Sequence, residues 1–295
     1  MPEIFGIPSA ALFGQLLIGL INGSFYALLS LGLAVIFGLL NIINFTHGAQ
    51  YMLGAFCAYF LLQKWGLGYW WSLAIAPIAV GITGVLIERT MLKPLYKLDH
   101  LYGLLLTFGL ALIIQGLFRN EFGSSGQPYP IPPELTGGHN LGFMFLPTYR
   151  AWVIVASLVV CLATWFVIER TRLGGYLRAA TENPELVQAF GINVPRMITL
   201  TYGFGVALAA LAGVMAGPIY QVSPQMGSDL IIVVFAVVVI GGMGSIMGSI
   251  VTGFGLGVIE GLTKVFYPEA SNTVIFIIMA IVLLIKPAGL FGTAR

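Results

Sequence analysis

Residues 4–63 read IFGIPSAALFGQLLIGLINGSFYALLSLGLAVIFGLLNIINFTHGAQYMLGAFCAYFLLQ, sixty consecutive positions without an Asp, Glu, Lys or Arg. About 20 apolar residues cross a bilayer as a helix, so this stretch is one span that folds back into a second. The pattern continues outward from it. Further charge-free runs cover 65–87, 101–118, 151–168, 197–228, 230–259 and 270–285. The alternation of apolar and polar positions that a membrane barrel needs is absent. The chain of 295 residues carries 13 Lys+Arg and 11 Asp+Glu, 8% charged, with a mean hydropathy of +0.96. Soluble domains carry about 25% charged residues, and a disordered chain has the opposite composition. The net charge of +2 excludes a strongly basic nucleic-acid binder.

These runs predict an all-α polytopic membrane protein forming a single transmembrane domain over 1–295. The expected spans are 10–38, 48–63, 68–87, 101–118, 151–168, 197–219, 229–241, 246–263 and 272–290. The pieces 229–241 and 246–263 are short and are split by Gly241-Gly242-Met243-Gly244-Ser245. They are either two short spans or one span with a re-entrant piece, giving about eight or nine transmembrane or half-membrane helices. Basic residues in short loops set orientation. Arg89, Lys93, Lys97, Arg170, Arg172, Arg178, Arg196, Lys286 and Arg295 fall on one side if the segments alternate; Lys64, Arg119, Arg150 and Lys264 fall on the other. The first set is expected in the cytoplasm, with the N-terminus periplasmic and the C-terminus cytoplasmic. Met-Pro-Glu-Ile lacks the basic start of a cleaved signal, so the first apolar segment is expected to be retained. Cys57 and Cys161 lie inside apolar runs and read as small buried hydrophobes.

Two long polar segments remain. Segment 119–150, with Pro128, Pro130, Pro132, Pro133 and Gly137-Gly138, reads as an ordered external loop with little helix. Segment 169–196 is the expected cytoplasmic loop. Within it Asn183 suits an N-cap, Pro184 the first helical position, Glu185 the positive end of the dipole and Gly191 a left-handed stop. A helix of about seven residues is marginal alone in water. Leu186, Val187 and Phe190 therefore need a surface, either the protein's own bundle or a cytoplasmic partner.

The stretch from Arg178 to Arg196, which contains Glu182-Asn-Pro-Glu-Leu-Val-Gln-Ala-Phe-Gly191, resembles the cytoplasmic loop of permeases from ATP-binding-cassette importers of branched-chain amino acids. Asn22-Gly-Ser-Phe-Tyr-Ala-Leu28, Gly38-Leu-Leu-Asn-Ile-Ile-Asn-Phe-Thr-His-Gly48, Gly241-Gly-Met-Gly-Ser-Ile-Met-Gly248 and Lys286-Pro-Ala-Gly-Leu-Phe-Gly292 extend the resemblance over residues 10–292. It points to the first of the two permease types in that family. The resemblance implies a pore shared with a second homologous permease, two cytoplasmic ATP-binding subunits and a periplasmic solute-binding protein, in the bacterial inner membrane. It implies that ATP is bound by those partners, with no cofactor in this chain. It makes Arg178, Glu182, Asn183, Pro184, Glu185, Leu186, Phe190 and Gly191 the ATPase-coupling residues. Related permeases carry amides, urea or small carboxylates, so these remain alternative cargoes.

Irregular backbone at membrane depth needs protein cover or a cavity. The block Asn41–Gly48 is expected to break two membrane helices, with Asn41, Asn44, Thr46 and His47 either locking the break or lining a path. Asn22, Ser24, Tyr51, Gln115, Gly242, Gly244 and Asn272 complete the candidate path, and most of the glycines are expected to serve helix packing. Asp229 reads as an interfacial cap, and Glu260 as a helical pair with Lys264 near a membrane edge. An ion-coupled transporter or channel is the competing class; it usually needs ionisable groups at mid-membrane, and the spans offer only Glu260. No Gly-Lys dipeptide is present to build a phosphate-binding loop. His47, His100 and His139 lack metal-ligand spacing, and no nucleophile–base set marks an enzyme.

Overall fold

The computed structural model describes residues 3–4, 7–40, 43–142 and 144–292; Asn41 lies outside them. Among the described residues the chain forms α1 (Ser9–Leu40), α2 (Thr46–Trp65), α3 (Tyr69–Ile87), α4 (His100–Phe122), α5 (Thr148–Arg170), α6 (Arg172–Glu182), α7 (Pro184–Ala189), α8 (Val194–Tyr220), α9 (Met226–Gly241), α10 (Ile246–Phe266) and α11 (Val274–Ile285). Two short antiparallel pairs join β1 (Glu3–Ile4) to β2 (Ile7–Pro8) and β3 (Gly138–Asn140) to β4 (Phe145–Pro147). The architecture is all-α. Helices α1, α3, α4, α5, α8 and α10 are long and apolar enough to cross a membrane, and α9 and α11 are shorter apolar helices. Twenty-residue α2 is more polar, with Thr46, His47, Gln50 and Lys64 in its sequence.

Helix α1 is the central post. Its most apolar window is 83% buried, against 11% for α4, so α4 stands at the periphery with Leu101, Leu105, Ile113 and Leu117 facing outward. Helix α1 lies along α10 with almost no gap. A Cβ placed on Gly257 would sit 2.4 Å from the Gly23 Cα, so Gly257 admits no side chain, and one on Gly23 would press on the Phe254 backbone at 3.0 Å. Such small-residue seams let backbones meet where apolar packing alone gives no preference over lipid.

The two ends of the bundle differ. At the elbow end lie the C-termini of α1, α3 and α5, helices α6 and α7, the start of α8, and the α9–α10 turn. There the chain end is stitched on, as Leu290 N–H donates to Ile240 O and Phe291 N–H to Gly241 O. At the loop end, residues 123–142 and 144–147 fold over the α2–α3 corner. Gln127 exchanges backbone bonds with Val222, and the Trp70 indole donates to Glu134 at 3.3 Å. Helix is found further into 119–150 than the sequence predicts, because α4 continues to Phe122.

Two helices begin inside the bundle. His47 Nε2 contacts Leu29 O at 3.0 Å. Leu29 precedes the end of α1 by eleven residues, about 16 Å along the axis, so the chain returns to the interior before α2 starts. Helix α9 starts against it: a Cβ on Gly48 would lie 2.6 Å from Gly227 O. Asp229 sits exposed inside the first turn of α9 rather than capping it; the residue preceding the helix is Gln225, which makes no side-chain cap.

Candidate functional site

At the elbow end, Asn183 Oδ1 accepts the Leu186 N–H at 2.9 Å and Pro184 opens α7. Gly191 adopts φ +85° just beyond it. Only one side of this six-residue helix is buried. Val187 packs with Leu177 and Ala180 of α6 and Val194 and Met197 of α8. Leu186 and Phe190 stand 55% and 79% exposed, and Glu182, Asn183, Pro184 and Glu185 are exposed beside them. Helix α6 was missed by the sequence reading; its apolar face is narrow, and loop polarity dominates it. Arg178 does not join the exposed α7 face. It turns back on α5, its Nη1 donating to Ile168 O and Glu169 Oε2, both at 3.2 Å.

Behind α7 lies a carboxylate that sequence reasoning did not single out. Glu88 is 1% exposed at the start of a π-helical turn, Glu88–Leu92. It accepts the Tyr96 hydroxyl at 2.6 Å and the Thr199 hydroxyl at 2.7 Å. Thr199 belongs to α8, so this clamp joins the foot of α3 to the helix that receives Val187. Burial, together with the neighbouring carboxylate, pushes the Tyr96 phenol well above its ordinary value, keeping it a donor. A lone Glu after an apolar run carries no sequence signal of a partner 111 residues away.

The interior start of α2 is held by polar side chains. Phe45 N–H donates to Thr107 Oγ1 at 3.3 Å, Thr46 Oγ1 to Thr107 O at 3.2 Å, and Asn44 Nδ2 to Gln50 Oε1 at 3.3 Å. Asn44, Thr46, His47, Gln50 and Tyr51 are all fully buried. With Leu29 O as acceptor, His47 carries its proton on Nε2. Asn44 Oδ1, His47 Nδ1, Gln50 Nε2 and the Tyr51 hydroxyl are buried there without a hydrogen-bond partner. Thr107, Gln50 and Tyr202 belong to this cluster without having been foreseen; Gln50 and Asn44 both lie beside the Tyr202 hydroxyl.

Toward the loop end a second polar cluster crosses three helices. Tyr220 OH donates to Asn22 Oδ1 at 2.6 Å, Asn22 Nδ2 to Glu260 Oε1 at 3.2 Å, and Tyr26 OH to Glu260 Oε2 at 2.7 Å. Lys264 Nζ completes it, 2.5 Å from Glu260 Oε1. The expected helical pair is present, and it reaches further than a pair on one helix. Glu260 is buried between α1 and α10 because the glycine seam brings Asn22 and Tyr26 to it. The neighbouring ammonium pairs with the carboxylate, so Glu260 links Lys264 of its own helix to Asn22 and Tyr26 of α1.

The other expected path residues scatter. Ser24 is buried, with its hydroxyl bonded to Leu20 O in its own helix. Gln115 Nε2 reaches Ser228 Oγ at 3.0 Å, beside the start of α9. Gly242 and Gly244 take φ +104° and +84° in the α9–α10 turn, against Gly292 and Gly38. Asn272 is exposed in the turn before α11. Cys57 is half-buried and Cys161 buried, both as free thiols, and no metal-binding group of side chains occurs among the described residues.

Comparison with known proteins bears on what this arrangement serves. Residues 15–283 match the family model described as branched-chain amino acid transport system / permease component. The chain belongs to this permease family. It is 31% identical to the high-affinity branched-chain amino acid transport system permease protein LivH of Escherichia coli K12, over 94% of each chain. It is 32% identical to the permease protein BraD of Pseudomonas aeruginosa PAO1, over 99% of this chain and 98% of that one. The E. coli permease protein LivM is also similar, 28% identical over 92% of this chain and 68% of its own. No solved structure matches.

Proposed function

We propose that the chain is the first-type transmembrane permease of an ATP-binding-cassette importer of branched-chain amino acids. In this reading it pairs with a second, homologous permease, binds two cytoplasmic ATPase subunits and accepts cargo from a periplasmic solute-binding protein at the bacterial inner membrane. The observation that carries it is the capped helix α7, which offers Leu186 and Phe190 to solvent within a chain matched almost end to end by the permease family. The similarity to both LivH and LivM supports a pair of unlike permeases. The elbow end, rich in Lys and Arg, is the cytoplasmic end by the positive-inside rule. The six long apolar helices, with α2, α9 and α11, then make up the expected eight or nine crossings and half-crossings.

Closure of the ATPase pair moves α7. Val187 passes that movement to α6 and to the foot of α8, and the Glu88–Thr199 clamp passes it to α3. The α1–α10 pair, joined by its glycine seam and Glu260, moves as one body. The path lies against the second permease and is weakly polar; Asn22, Gln115 and Asn272 have side chains placed to reach it. The paired Glu260–Lys264 supplies no free carboxylate for ion coupling, which favours energy entering through α7.

The test uses the reconstituted importer. Replacing Glu182 and Glu185 with Lys should leave membrane insertion intact and separate ATP hydrolysis from uptake. Normal cargo-stimulated ATPase activity in that variant rules out the coupling role. Uptake by the chain alone on an ion gradient rules out the ATP-driven class.

A further inference from the structure

We propose that the elbow end contains a binding site for an aliphatic zwitterionic amino acid arriving from the cytoplasm, and that its occupancy slows import. This deepens the reading above, since it takes that end as cytoplasmic and the cargo as an amino acid.

A cavity of about 610 Å³ opens between the end of α1, the end of α5, α6, the α9–α10 turn and the final residues. It lies within the 300–1,000 Å³ range of small-molecule sites. Gly38, Glu169, Arg178, Thr181 and Gly244 line both this cavity and a narrower pocket beneath it, so the two are continuous. The floor of the lower pocket is aliphatic: Ala34, Val35, Ile168, Leu177 and Ile246, all buried. The mouth carries one carboxylate and one guanidinium, Glu169 and Arg178, 57% and 41% exposed for the arginine and glutamate side chains respectively.

An amino acid at neutral pH has the complementary shape, with an ammonium, a carboxylate and, for the branched-chain class, an aliphatic group. Arg178 uses only Nη1 on Glu169 and Ile168. Its Nε and Nη2 groups remain to hold a carboxylate in bidentate fashion. Glu169 Oε1 remains for an ammonium. The side chain then enters the aliphatic pocket. Such a ligand bridges α5 and α6 to the α1 terminus and the α9–α10 turn. Helix α6 leads into α7 through Asn183 alone, so a filled site restrains the segment that must move with the ATPases. The imported product thereby reports its own accumulation.

The experiment uses the complete importer in detergent and in proteoliposomes. Radiolabelled leucine should bind the nucleotide-free complex without its solute-binding protein. Unlabelled leucine should compete, whereas isocaproate, which lacks the ammonium, and leucinol, which lacks the carboxylate, should each compete about tenfold or more weakly. Glu169→Gln should weaken leucine binding by a similar factor. It should also relieve inhibition by leucine on the cytoplasmic side while leaving uptake against zero cytoplasmic leucine unchanged. Leucine binding that survives Glu169→Gln, or isocaproate competing as well as leucine, overturns the proposal. The competition series uses the unaltered complex, so it decides the matter even if the variant misfolds. If the complex imports leucine yet binds none from the cytoplasmic side, this inference alone fails. If it imports no amino acid at all, the functional reading fails first.

Discussion

Thr199→Val removes one hydroxyl and almost no volume, which isolates what the Glu88 clamp contributes. In the native protein the Thr199 hydroxyl has a single proton and two acceptors, Glu88 Oε2 at 2.7 Å and Pro195 O at 3.0 Å. Glu88 is 1% exposed and has no cationic partner among the described residues. Valine therefore leaves a buried carboxylate oxygen with nothing to accept. Hydrogen bonds to charged groups are worth about 1.5–3 kcal/mol, and at this chain length that corresponds to a fall in Tm of about 3–6 °C. Glu88→Gln gives the contrasting expectation. The amide NH2 donates to Thr199 Oγ1, whose proton turns to Pro195 O, while the amide oxygen still accepts from Tyr96. Tyr96, Thr199 and Pro195 each keep a partner and one amide N–H is left over, so the cost should stay below about 1 kcal/mol. Fluorescence-monitored thermal unfolding of the solubilised permease pair measures both variants. If Thr199→Val costs no more than Glu88→Gln, the clamp is not what holds α3 to the foot of α8.

Other expectations follow from the same geometry. Phe190→Ala should leave Tm unchanged and weaken ATPase-subunit binding about thirtyfold, as for an exposed aromatic anchor; co-purification at graded ATPase concentrations measures it, and unchanged binding counts against α7 as the contact. Glu260→Ala strands Lys264 and the Tyr26 hydroxyl and should cost about 3 kcal/mol, most of it recovered by combining Glu260→Gln with Lys264→Met; a lack of recovery in thermal unfolding means that the crosslink is not the cause. Gly257→Leu drives a side chain into the Gly23 backbone, so the permease should fail to accumulate in membranes, whereas Gly255→Leu, at a position with open space around it, should accumulate normally. Equal yields of the two contradict the seam.

The long apolar helices were legible because charge is nearly excluded from their interiors, whereas α6, with Arg172, Arg178 and Glu182, was not. The stop and start of α7 were legible because capping is local: Asn183, Pro184 and Gly191 sit within nine positions. The Asn-Phe-Thr-His-Gly block announced a break between α1 and α2, but its depth was hidden. That depth depends on His47 finding Leu29 O and on Thr107 arriving from α4. The cross-helix partners of Glu88 and Glu260 were unseen for one shared reason. Their partners, Thr199 and Asn22, lie 111 and 238 residues away, and a single sequence records no pairing across such distances. The direction of Arg178 was hidden for a different reason: it lies on α6, whose helical phase turns it toward Ile168 and Glu169 of α5.

The pairing of α1 with α10 has a consequence in time. Helix α1 leaves the ribosome before α10, and the glycines that complete its seam follow about 230 residues later. At 5–20 residues per second, the central post of the protein waits roughly 10–50 s in the bilayer with its narrow face uncovered. Through that interval it is a helix with a surface made to meet another backbone and none of its own yet available. The polar groups of Asn22 and Tyr26 are on hand to be satisfied by whatever membrane helix passes. A nascent chain built this way has reason to depend on an attendant in the membrane, and its yield should respond to the speed of translation more than to the stability of the finished fold.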